Sequence, residues 1–199
     1  IYNIENFTPG IIIFSLAFIT MFTASLVAKD RCSSLTARLG VSPMKSINYI
    51  LGYILSVIPL ILIQNILFFI TAIILGLKFS SNAIYTILAV IPISILFISL
   101  GILIGTITTE KSSSGISSII VQLVAFTSGM YFTTDMVGST FSTICHILPF
   151  ESTLNITKDI LNSNYNNILP SILIVGIYIV IVIILTIILF KRKMISDNK

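Results

Sequence analysis

Long apolar runs separated by short hydrophilic stretches organise this chain. A helix that crosses roughly 30 Å of hydrocarbon needs about 20 residues, and five runs qualify: about 9–28, 47–77, 83–108, 115–132 and 168–190. The first opens on Pro9-Gly10, a pair suited to a helix entrance, and stops at Lys29. The second is longer than a span requires, so tilt or an interfacial first turn must absorb the excess. Pro59 within it predicts a kink, and the third run carries Pro92. Polar turns at Lys78–Asn82 and Glu110–Ser114 punctuate the runs, and the Ile- and Val-rich fifth ends at Lys191-Arg192-Lys193.

Composition fixes the class. Of 199 residues, 56% are hydrophobic and only 9% charged, and the mean hydropathy is +1.09. A soluble domain of this size needs a more charged surface, so the sequence predicts an all-α, polytopic membrane protein, a single transmembrane domain over 1–199. Charge then orients it. If 29–45 is cytoplasmic, alternation collects Lys29, Arg31, Arg38, Lys45, Lys111, Lys191, Arg192, Lys193 and Lys199 on that side and leaves Lys78 and Lys158 outside. The positive-inside bias therefore places the N-terminus of this chain outside and the C-terminus inside.

The hydrophilic segment 29–45 is the first functional candidate. Cys32, Leu35 and Leu39, spaced i, i+3, i+7, share one face of a short helix beside Arg31 and Arg38. Such a helix can lie on the membrane surface and present a basic ridge to a cytosolic partner; alternatively the segment only fixes topology. The second candidate is 133–167, which falls outside by alternation yet is too apolar for a solvated loop. Met136, Val137, Phe141, Ile144, Ile147 and Leu148 follow helical spacing up to Pro149. Leu154, Ile160 and Leu161 then form a second amphipathic stretch, with Ser152 as its expected N-cap. This predicts a broken helical hairpin dipping into the outer leaflet and covered by protein, or an interfacial anchor.

Catalytic chemistry is missing. No G-x-x-x-x-G-K-[ST] loop is present to hold nucleotide phosphates, so any ATP-driven motion requires a partner. His146 stands without ligands at metal spacing and reads as a polar interfacial residue. Cys32 and Cys145 fall on opposite sides of the membrane, which excludes a disulfide within the chain. Asn6-Phe7-Thr8 and Asn155-Ile156-Thr157 match glycosylation sequons, a pattern with a high chance rate in an Asn-rich chain. No charged residue sits at mid-span, which argues against an ion-coupled pump. Gln64, Asn65 and Gln122 are left as interhelical hydrogen-bond donors or as lining of a substrate path. Gly101 and Gly105 form a G-x-x-x-G pair, expected to pack within the subunit or across a dimer. No internal or inverted repeat is visible.

The order of elements carries a resemblance. A span leads to a basic segment ending in Ser42-Pro43, and Tyr49-Ile50-Leu51-Gly52-Tyr53 opens a long span. Leu100-Gly101-Ile102-Leu103-Ile104-Gly105 precedes a polar turn, then come Ser128-Gly129-Met130-Tyr131-Phe132 and a hairpin with Leu148-Pro149-Phe150. This resembles the permease subunit of an ABC-2 type ATP-binding-cassette transporter over nearly the whole chain, lacking the first of six spans. The resemblance implies that 29–43 is a coupling helix docking into a cytosolic ATPase through Asp30, Arg31, Leu35, Arg38 and Leu39, with Cys32-Ser33-Ser34 departing from the usual Gly-Thr. It implies a re-entrant hairpin over 133–162 and an exporter of hydrophobic or amphipathic cargo in the bacterial cytoplasmic membrane. The partners expected are an ATP-binding subunit carrying ATP and Mg, a second permease subunit (homo- or heterodimer) and membrane lipids, with no nucleic acid and no cofactor on this chain. The rival is a non-transporting anchor, sensor or immunity component whose basic segment binds anionic lipid.

Overall fold

The structure is a computed structural model that describes residues 4–33, 46–77, 81–131, 138–165 and 168–197. Seven helices and no strands occur among the described residues: α1 Ile4–Cys32, α2 Ser46–Ile74, α3 Ser81–Ile107, α4 Glu110–Thr127, α5 Ser139–Ile147, α6 Pro149–Leu161 and α7 Ile168–Asp197. Four of them, α1, α2, α3 and α7, are long and apolar enough to cross a membrane.

Helix starts differ from the hydropathy boundaries for local reasons. α1 begins at Ile4, so Pro9 lies inside it rather than at its entrance; near a helix start a proline forfeits a single backbone hydrogen bond. α4 begins at Glu110, so the expected Glu110–Ser114 turn is its first turn. Thr109 N–H donates to Ser112 Oγ at 3.2 Å and the two hydroxyls meet at 2.9 Å, a cap that removes an orphan donor. Glu110 in that turn also suits the positive helix end. α6 begins at Pro149, with Leu148 as its cap. Ser152 is therefore a buried residue of the helix rather than its N-cap, because proline is pre-organised for the first helical position.

α1 and α3 form the centre of the bundle. Both bury long apolar faces, including Ile12, Ile13 and Leu16 of α1 and Leu96, Phe97, Ile98 and Ile102 of α3. Their axes run in the same direction, and the approach is at backbone distance. A Cβ on Gly101 would lie 2.7 Å from the Thr20 carbonyl oxygen, and one on Gly105 2.5 Å from that of Ala24. The G-x-x-x-G pair thus closes a contact inside the subunit, and Thr20 Oγ1 crosses it to donate to the Phe97 carbonyl at 3.0 Å. α2 and α7 are peripheral and leave Leu55, Ile63, Leu67 and Ile74, and Leu173, Ile177 and Ile181, on exposed faces.

α4 fails the apolarity of a span because a charged pair and several serines open it, yet with its flanking residues it runs along α1 from near Arg31 to near Gly10. Its start adjoins Thr108, whose carbonyl meets Arg31 near one end of α1. Just past its other end, Met130 lies where a Cβ on Gly10 would be 2.8 Å from its Cγ. Its buried face, Ser113, Ser117, Val121 and Val124, packs on α1.

α5 and α6 meet at Leu148, and their junction lies beside the middle of α3 and α7. The Phe150 and Phe97 rings are 6.0 Å apart, and Phe97 lies about 24 Å along α3 from Ser81 at 1.5 Å per residue. Tyr178 Oη donates to the Ile147 carbonyl at 2.9 Å, about 15 Å into α7. At its far end α6 returns to the start of α3, where Asn82 Nδ2 donates to the Leu161 carbonyl at 3.2 Å. An apolar cavity of about 210 Å³ remains between α3, α6 and α7, bordered by Pro92, Ile156 and Gly176.

Candidate functional site

The first residues of the segment singled out in the sequence are the last turn of α1. Because α1 continues to Cys32, Asp30 and Arg31 are held by a rigid helix and face its neighbours. Leu35, Arg38 and Leu39 lie outside the described residues.

Arg31 Nη1 donates to the carbonyls of Gly105 at 3.2 Å and Thr108 at 3.3 Å, and also to that of Thr106. The last carbonyls of a helix have no partner within it and form the negative end of its dipole. A delocalised guanidinium with five donors suits that end better than a point charge. Asp30 accepts a hydrogen bond from Tyr53 Oη of α2, whose oxygen lies 2.7 Å from Tyr49 Oη. The Tyr49 ring in turn stacks on Phe190 of α7 at 4.4 Å and 26°. Two adjacent side chains of α1 thereby touch α3 and α2, and through the tyrosines reach α7. The sequence predicts a basic ridge shared by Arg31 and Arg38; the structure places Arg31 against the end of α3, and Arg38 lies outside the described residues.

The three intramembrane amides separate. Asn65 is 1% exposed; its Nδ2 donates to the Ile61 carbonyl of its own helix at 2.9 Å, and its buried Oδ1 accepts no hydrogen bond among the described residues. Gln64 is half-buried. Gln122 is exposed, in line with exposed Ser114 and Ser118 at i, i+4, i+8 of α4. These polar side chains face away from the bundle over 114–122 of α4, beside exposed Ile119 and Leu123. On α1, Phe18 and Phe22 are also exposed, and Phe18 meets Phe14 edge to face at 5.0 Å.

The junction of α5 and α6 brings together a histidine and a glutamate that spacing did not pair. His146 Nδ1 lies 3.1 Å from Glu151 Oε2, and its Nε2 lies 3.1 Å from Ser142 Oγ. The extended backbone at Leu148 breaks the helix and lets residues five apart meet, which no single helical period brings together. Glu151, in the first turn of α6, complements the positive end of that helix. Among the described residues, no three His, Cys, Asp or Glu side chains gather as a metal set. Burial pushes the Cys145 thiol up, and the Glu151 carboxylate adds to that. Burial also raises Asp159, against the opposing pull of Lys158. Cys32 is exposed and Cys145 buried, and both are free thiols.

No curated protein and no solved structure matches the chain. The family model described as ABC-2 family transporter protein matches residues 2–188. A bundle of long apolar helices, a basic segment at the end of α1 and a match over nearly the whole length agree, and the chain belongs to the ABC-2 family of transporter proteins as one of its membrane subunits.

Proposed function

We propose that this chain is the permease half of an ATP-driven exporter, in which a separate ATP-binding subunit docks on 29–45 and a second permease subunit completes the path. The carrying observation is the cluster at the end of α1. A partner pressing on the segment after Cys32 acts directly on Asp30 and Arg31, which hold α2 and α3 through hydrogen bonds. ATP and Mg belong to the partner. Its nucleotide states drive the permease only if it binds one permease arrangement better than the other.

The positive-inside bias gives the orientation of this proposal, with the Arg31 end cytoplasmic and the hairpin a re-entrant element on the outer side of a bacterial cytoplasmic membrane. α4 counts as the fifth span, its polar stripe shielded from lipid. Ser114, Ser118 and Gln122 then line the path with the second subunit, since polar groups in a span face protein or water rather than acyl chains. The apolar surroundings fit a hydrophobic or amphipathic cargo.

The test is co-expression with the candidate ATP-binding subunit, with and without Leu35→Asp and Leu39→Asp together. Co-purification that the double change abolishes supports docking. If no ATPase associates, or association ignores the leucines while neutralising Arg38 weakens binding to anionic vesicles, the lipid-binding anchor replaces this proposal.

A further inference from the structure

α3 is in contact with every other long helix and with α6, and its two ends are held in different ways. At the Arg31 end, three carbonyls receive a single guanidinium from α1. Over the next two turns, Gly105 and Gly101 bring the α1 and α3 backbones together, leaving no space even for a methyl group. Interfaces packed this closely do not slide continuously, because interiors are dense and respond as units. Beyond that contact α3 carries three attachments. Phe97 faces Phe150 at the junction of α5 and α6, the Ser99 carbonyl accepts from Thr186 of α7 at 3.4 Å, and Asn82 holds the far end of α6. α2 reaches the α1 end through the Tyr53 hydroxyl, which donates to the Asp30 carboxylate.

Resting on the ATPase-coupled function above, we propose that Arg31 is a positioning residue for transport: by clamping the carbonyl end of α3 it makes α1 and α3 one lever, which carries displacement of the coupling segment to the α5–α6 hairpin. A structural chain of contacts becomes a coupling route only when perturbing one end changes the other, and the lever makes that dependence measurable.

The experiment uses the complex with its ATP-binding subunit in nanodiscs. Spin labels sit at Ile74→Cys and Asn155→Cys, both exposed positions, in a Cys32→Ser background, with labelled chains diluted among unlabelled ones. The 74–155 distance distribution is compared between nucleotide-free and ADP-vanadate-trapped complexes. The unsubstituted protein is expected to show a second distance on trapping. In Arg31→Met, which keeps the stem and removes the donors, that population falls at least about tenfold, within the usual range of allosteric couplings, with distances read only from complexes isolated through a tag on the ATPase. Arg31→Lys, able to reach one or two carbonyls, restores part of it, an ordering that a general loss of stability would not produce. Should Arg31→Met fail to reach the membrane, Arg31→Gln with one donor group replaces it, and the trapped population follows the order Arg, Lys, Gln. A shift that persists in Arg31→Met overturns the lever, as does the absence of any shift in the unsubstituted protein. Detachment of the ATPase by Arg31→Met would make Arg31 a docking residue and likewise overturn it, leaving the Leu35 and Leu39 test to decide docking by itself.

Discussion

The contact of α1 with α3 and that of α7 with α3 bury apolar surface in opposite ways. On α1 the glycines of α3 let backbones meet at 2.5–2.7 Å from a would-be Cβ, with Thr20 bridging helix to helix. On α7 the contact runs through side chains, with Thr186 reaching a carbonyl and a cavity of about 210 Å³ left toward the hairpin. In a membrane, lipid tails are as apolar as leucine, so close packing and hydrogen bonds rather than burial decide which helices move together. The first contact is therefore rigid and the second adjustable, and a helix that has both can pass motion from one side of the bundle to the other.

The largest effect expected is at the glycines. Gly105→Leu would drive a side chain into the Ala24 carbonyl and should cost more than about 3 kcal/mol, at or beyond the upper range for overpacking, or prevent assembly. Gly176→Leu, with nothing within 4 Å of its Cβ position, should be nearly neutral. A thiol-reactive dye that reports exposure of buried Cys145 on heating, in a Cys32→Ser background, measures both. Equal losses at the two positions would remove the distinction between the contacts.

Next comes Tyr53→Phe, which deletes the donor to Asp30. Hydrogen bonds to charged groups contribute about 1.5–3 kcal/mol, so the same assay should show a clear drop in melting temperature. A silent Tyr53→Phe would separate α2 from the cluster at the end of α1. Thr20→Val keeps the shape and removes the bond to Phe97, with an expected loss of about 1 kcal/mol; a larger loss would mean that hydrogen bonding, not the glycines, holds α1 to α3. The smallest change is chemical. In detergent-solubilised protein, where both faces are open to the reagent, Cys32 should react with a maleimide far faster than Cys145, whose burial and raised ionisation both suppress the thiolate.

The outline of the fold was legible because crossing a bilayer is a demand on local hydropathy. The apolar runs around α1, α2, α3 and α7 could be recognised in isolation, and Pro149 marked the hairpin break. The run at 115–132 was also recognisable, but the serines and charged pair before it lower its hydropathy and hid the first turn of α4 at Glu110. The candidate site was legible as a place and not as an arrangement. Asp30 and Arg31 were identifiable as charged residues at the end of a span, but their facing direction depends on where α1 stops. The His146–Glu151 pair was hidden because a helix break lies between the two residues.

What the sequence by itself determined is the class of protein, the order of its helices, the basic segment after the first of them and the membership that this order signals. Each follows from quantities that add up along the chain: hydropathy over a window, charge counted per loop, a proline at a break. Only the tertiary structure decided that the Gly101 and Gly105 contact lies inside the subunit, that Asn65 is buried while Gln122 is exposed, and that Arg31 closes the end of α3. Those outcomes depend on how each helix is rotated about its axis and how deeply it sits against another. Side-chain packing fixes both, between residues far apart in sequence.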